Sequence, residues 1–84
     1  MFELLIEKRA WKDIDKIDVQ EQSRVLTKLQ QILSENPYPR GGNPKKLMGE
    51  EAFRLRIGDY RVLYRVYKKQ VFVFAVGHRK DVYR

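Results

Sequence analysis

The chain has 84 residues, 43% of them hydrophobic and 35% charged, a balance that fits one small folded domain over residues 1–84 and excludes an intrinsically disordered chain. It has no cysteine and a single histidine, His78, which excludes disulfides, cysteine-type zinc sites and any multi-histidine metal centre. The net charge of +7 lies entirely in the last third: residues 1–53 carry nine basic and nine acidic side chains, residues 54–84 nine basic and two acidic, an asymmetry that favours a polyanionic partner.

In chain order, residues 2–7 (FELLIE) read as a short first strand. Ala10, Trp11, Ile14 and Ile17 then recur at helical spacing. Asp18 follows as a predicted N-cap, with Glu21 three residues on to complete a capping box. The second helix runs to about Glu35 on a stripe of Val25, Leu26, Leu29, Ile32 and Leu33. Residues 36–49 hold all three prolines and three of the five glycines, together with Arg40, Lys45 and Lys46. So long a connection in a small domain points to binding or mobility.

Three strands are predicted next, over residues 52–57, 60–67 and 70–76, as an antiparallel meander. The last, QVFVFAV, is apolar at nearly every position and is expected at the centre of the sheet, covered on both faces. Lys68-Lys69 is not a favoured two-residue turn, so its register stays open. The predicted fold is α+β, β-α-α-β-β-β, with a helical hairpin on one face of a four-stranded, mainly antiparallel sheet. No apolar run approaches a membrane span and no secretory signal is visible, so the expected location is the cytoplasm, with no membrane partner.

The stretch FRLRIGDYRVLYRV carries the most chemistry. Gly58-Asp59 as the loop sets Ile57 against Tyr60, Arg56 against Arg61, Leu55 against Val62 and Arg54 against Leu63. One face then carries Phe53, Leu55, Ile57, Tyr60, Val62, Tyr64 and Val66, a core face. The other carries Arg54, Arg56, Arg61, Leu63 and Arg65. Like charges directly opposite are unfavourable, so this face reads as an anion site, since the arginine fork suits phosphate. The plainer reading is a solvated face with scattered arginines.

The apolar strand leads directly into Gly77-His78-Arg79-Lys80-Asp81-Val82-Tyr83. Histidine can move a proton near neutral pH, arginine can stabilise charge on a phosphate, and tyrosine can stack on a base. Taken singly, each has a structural reading as a surface, capping or packing residue.

Phe53-Arg54-Leu55-Arg56, Gly58-Asp59-Tyr60-Arg61, Tyr64, and then Val76-Gly77-His78-Arg79 and Val82-Tyr83, resemble the RelE/ParE toxin superfamily, on the RelE side. The likeness covers the chain nearly end to end. It implies a RelE-like fold and a toxin of a type II toxin–antitoxin system. Such a toxin cleaves mRNA in the ribosomal A site by metal-independent, cofactor-free attack of the ribose 2′-OH on the adjacent phosphate. Its expected partners are the ribosome, mRNA and a cognate antitoxin, acidic and partly disordered. The family's basic second-strand residues, third-strand arginine, arginine after the fourth strand and terminal tyrosine match Arg54 and Arg56, Arg61, Arg79, and Tyr83.

Where RelE has second-strand lysines, this chain has arginines, which hold their protons and make poor bases. The expected catalytic set is therefore Arg56, Arg61, Arg79 and Tyr83 with His78 as the proton-transfer residue. Arg54, Arg65, Lys45, Lys46 and Lys80 are expected to hold RNA. Two alternatives stand beside this: a ParE-like toxin that binds DNA gyrase without cleaving nucleic acid, and a basic nucleic-acid-binding domain or decayed toxin.

Overall fold

The computed structural model describes residues 1–47 and 51–78. The elements are β1 (Glu3–Ile6), α1 (Lys8–Asp15), α2 (Val19–Glu35), β2 (Lys45–Lys46), β3 (Phe53–Ile57), β4 (Tyr60–Tyr67) and β5 (Gln70–His78). They form a mixed five-stranded sheet in the order β1-β5-β4-β3-β2, with β1 parallel to β5 and the remaining pairs antiparallel. The α+β class and the helical hairpin are as the sequence predicts. The strand count is not: β2 is a fifth strand inside the proline-rich connection.

The helices exist because their apolar residues fall on one side. Ala10, Ile14 and Ile17 from the first helical segment, and Val25, Leu29 and Leu33 from α2, meet Leu55, Ile57, Val62, Tyr64, Val71, Val73 and Val76 of the sheet in one buried cluster. Asp18 caps α2 by accepting from the Gln20 backbone N–H at 3.1 Å. The predicted capping box is only half made, because the Glu21 carboxylate turns to the Arg24 guanidinium at 3.0 Å. Tyr64 is fully buried and donates its hydroxyl to the carbonyl of Pro37. Phe2, Tyr38, Phe53 and Tyr64 continue from it as a chain of ring contacts 5.5 to 6.3 Å between centroids.

Two tight turns set the meander. Gly58 has φ +58 and Asp59 does not share the positive sign, the pattern of a type II′ hairpin turn. Lys68 takes the same left-handed region at φ +56 and lets Tyr67 pair with Gln70. Between Leu63 and Tyr64 the β4–β5 register slips by one, since Tyr64 pairs with Val73 but Leu63 with Ala75. Phe74 is the extra residue of this β-bulge. Both helices lie on one side of the sheet, so its other face is uncovered by them, β5 included. The expectation of a last strand with a layer on both faces is corrected here. Val71 and Val73 are sealed on the helix side, whereas Phe72 and Phe74 are half-buried on the other.

Candidate nucleic-acid interface

The β3–β4 register is the one the sequence predicts. Arg56 is opposite Arg61, and Arg54 opposite Leu63. Cross-strand partners project to the same side, so Arg54, Arg56, Arg61 and Arg65 share the helix-free face. The β2–β3 pairing adds Lys45, which stands opposite Arg54, to that face; Lys46 stands opposite Phe53 and projects to the other side. Arg56 and Arg65 are exposed, Arg54 and Arg61 half-buried.

Among the described residues none of these cations has a carboxylate partner. The ion pair found among the described residues, Arg24 with Glu21 on α2, includes none of these side chains. Arg54 donates to the Gly42 carbonyl at 2.9 Å, and Arg61 makes a long 3.4 Å contact to the carbonyl of Tyr60. The Nε–H groups of both are buried, with no acceptor among the described residues. Charged donors short of acceptors carry a desolvation cost that a phosphate oxygen nearby reduces. Arg65 differs: its guanidinium lies 4.1 Å over the Phe74 ring, about 13 Å along the strand from Arg61.

The loop before β3 holds the rim of this face in place. Asn43 accepts from the Arg56 N–H at 2.7 Å and donates to the Arg56 carbonyl at 3.1 Å, imitating a strand partner at that residue. Sequence reasoning missed Asn43, because an asparagine in a Gly/Pro-rich loop looks like any turn residue.

His78 lies on the opposite side of the sheet from the arginines. The bulge is the cause. Continued from Tyr67–Gln70 without a slip, the register would set Val76 against Arg61 and turn His78 outward with the arginines. The extra Phe74 sets Gly77 against Arg61 and His78 against Tyr60, so Val76 enters the core and His78 turns to the helix side. There its ring meets the Tyr60 ring edge-on, at 5.9 Å between centroids. His78 and the Arg56–Arg61 pair nevertheless lie at the same end of the sheet, on two sides of one rim.

Beyond Val73, β5 has no paired strand on the β1 side among the described residues. The Asp13 carboxylate of α1 takes over that edge, accepting from the Val76 N–H at 3.0 Å. Arg79, Lys80 and Tyr83 lie outside the described residues. Among the described residues no group of three or more His, Asp or Glu side chains could hold a metal, and no helix is long and apolar enough to cross a membrane.

A helical hairpin on one side of a mixed sheet, with a cluster of arginines on the other, defines a small α+β domain. The chain belongs to the RelE/ParE superfamily of type II toxins: residues 4–83 match the family described as the ParE toxin of the type II toxin–antitoxin system, parDE. Comparison with curated proteins finds no match. Among solved structures, the RelBE2 toxin–antitoxin complex of Mycobacterium tuberculosis is similar at 26% identity and a TM-score of 0.79, over 93% of this chain and 98% of that one. The intact RelBE complex of E. coli is similar at 28% identity and 0.74, over 93% and 96%. The isolated E. coli RelE toxin is similar at 26% and 0.72, over 93% and 84%.

Proposed function

We propose that this toxin is a ribosome-dependent endoribonuclease that cleaves mRNA in the A site and is held inactive by an acidic antitoxin. The observation that carries the reading is the Arg56–Arg61 pair on the uncovered face, two cations set directly opposite with no carboxylate between them. Such a pair raises the energy of the free protein and is relieved by a bound anion. In this reading Arg56 and Arg61 grip the scissile phosphate and stabilise the negative charge that builds as the 2′-OH attacks. The P–O5′ bond breaks, the 5′-hydroxyl leaves, and a 2′,3′-cyclic phosphate remains. Arg79 and Tyr83 are proposed to complete the grip and stack on a base. His78, across the rim, takes the 2′-OH proton, since neither arginine can act as a base at neutral pH. Arg54, Arg65, Lys45 and Lys80 hold the flanking backbone; Lys46, which projects to the other side of the sheet, is left out of that set.

The partner proposal rests on the same charge. Two of the similar solved structures are RelBE toxin–antitoxin complexes, and an acidic segment that folds on binding suits a face of this sign.

A second reading has its own support, because the matching family model is that of ParE toxins. It makes the chain a gyrase inhibitor that acts by binding. One experiment separates the two. A translation reaction with a defined mRNA is run with the purified protein, and primer extension maps any cuts. Cuts in ribosome-occupied codons, absent on naked mRNA and absent with Arg61→Ala, support the nuclease. An intact mRNA beside inhibited DNA supercoiling establishes the gyrase reading.

A further inference from the structure

The rim shared by the arginine face and His78 opens, on the helix side, into a cavity of about 380 Å³ lined by Asp13, Lys16, Ile17, Tyr60, Val76 and His78. Its walls combine flat apolar surface from Ile17, Val76 and the Tyr60 ring with the carboxylates of Asp13 and Asp18 and the ammonium of Lys16. Apolar flats beside polar groups that can hydrogen-bond suit a small planar heterocycle with polar edges. The position adds the rest. Gly77, opposite Arg61, separates the two faces, and glycine leaves no side chain between them. We propose that this cavity takes the nucleobase next to the scissile phosphate, so that one nucleotide straddles the end of the sheet, phosphate on Arg56 and Arg61, base between Tyr60 and Asp13. The assignment rests on the nuclease reading above.

Asp13 sets the specificity. One of its oxygens accepts from the Val76 N–H, and a carboxylate has capacity for about three further hydrogen bonds. A carboxylate accepts from an exocyclic amine, as in its pairing with cytosine N4. Uracil has no such amine; its ring N–H sits between two carbonyl oxygens that a carboxylate repels. The cavity therefore favours cytosine, adenine or guanine over uracil.

Asp13→Asn tests this with the fold kept. The asparagine oxygen still accepts from Val76, while its Nδ2 offers a donor where the wild type offers an acceptor. Cleavage is profiled on an mRNA library randomised at one codon, and the purified protein is titrated by NMR with cytidine and uridine 3′-monophosphates. The wild type is expected to disfavour uracil at one position beside the cut by about tenfold. Asp13→Asn is expected to abolish or reverse that bias, and cytidine monophosphate to shift the Tyr60 and His78 signals more than the uridine compound does. An unchanged base profile in Asp13→Asn overturns the proposal, as does a titration that leaves Tyr60 and His78 unmoved. If mRNA stays intact yet cytidine monophosphate selectively shifts those signals, the nuclease reading fails and the base site stands.

Discussion

Arg56 and Arg61 face each other across the β3–β4 hairpin, two like charges in the one position where a sheet penalises them directly. A pair of this kind opposes folding by about 0.2–1 kcal/mol, less at high salt. Arg56 is exposed and its side chain makes no hydrogen bond or ion pair among the described residues, so Arg56→Gln should leave stability unchanged or raise it within that range. The same substitution should reduce mRNA cleavage by at least tenfold. Urea denaturation at low and high salt, beside primer extension, checks both. A loss of stability above about 0.5 kcal/mol would make Arg56 a structural residue instead.

Tyr64 ties the loop after α2 to the centre of the sheet. Its hydroxyl is the donor to a carbonyl of the fully buried Pro37. Tyr64→Phe removes the donor and leaves that carbonyl unsatisfied, a cost of about 1–3 kcal/mol. Burial also pushes the Tyr64 hydroxyl well above its ordinary pKa of 10.0, against a smaller lowering by Arg40. The folded chain therefore keeps a proton that the unfolded chain releases. This contribution is complete below pH 10 and is lost as the pH rises above it. Wild type and Tyr64→Phe should differ at pH 7 and converge in alkaline solution, as read by denaturation at a series of pH values.

The first hairpin was legible in the sequence because Gly58-Asp59 names its own turn, and turn and alternation then fix every partner from Phe53 to Tyr64. The second was not. Lys68 adopts positive φ with nothing in its chemistry to announce it. The bulge was hidden for a different reason: QVFVFAV is apolar at both parities, so an extra residue breaks no pattern. That single slip decides which face His78 occupies, and it explains why the arginine cluster could be read from the sequence while the histidine's place could not. β2 and Asn43 depend on pairing with Arg54 and Arg56 across the chain, which local composition does not encode.

Lys68 offers a direct test of the turn. A side chain in the left-handed region costs about 1–2 kcal/mol, and glycine there gives back about 0.5–1 kcal/mol through its freer unfolded chain. Lys68→Gly should therefore stabilise the protein by about half to one kcal/mol. Because Lys68 lies at the far end of β4 from the Arg56–Arg61 pair, cleavage should be unchanged. Thermal unfolding and the translation assay together check this, and a destabilised Lys68→Gly would show that the lysine side chain itself holds the turn.

Gly58 raises the question of which of two effects limits the first turn. A Cβ at this position would meet the guanidinium of Arg24, which reaches over from α2, and would also have to sit at φ +58. The guanidinium is the end of a flexible side chain, exposed and paired with Glu21, so it can move aside at a cost near that of a surface ion pair, well under 1 kcal/mol. The backbone has no such escape, and its strain is about 1–2 kcal/mol. Alanine regains about 0.5–1 kcal/mol of this through its less free unfolded chain, so Gly58→Ala should cost about half to one kcal/mol, and nearly as much in an Arg24→Ala background. A double-mutant cycle in urea measures the coupling. A coupling below about 0.5 kcal/mol assigns the glycine to backbone conformation; a larger one assigns it to the close approach of α2.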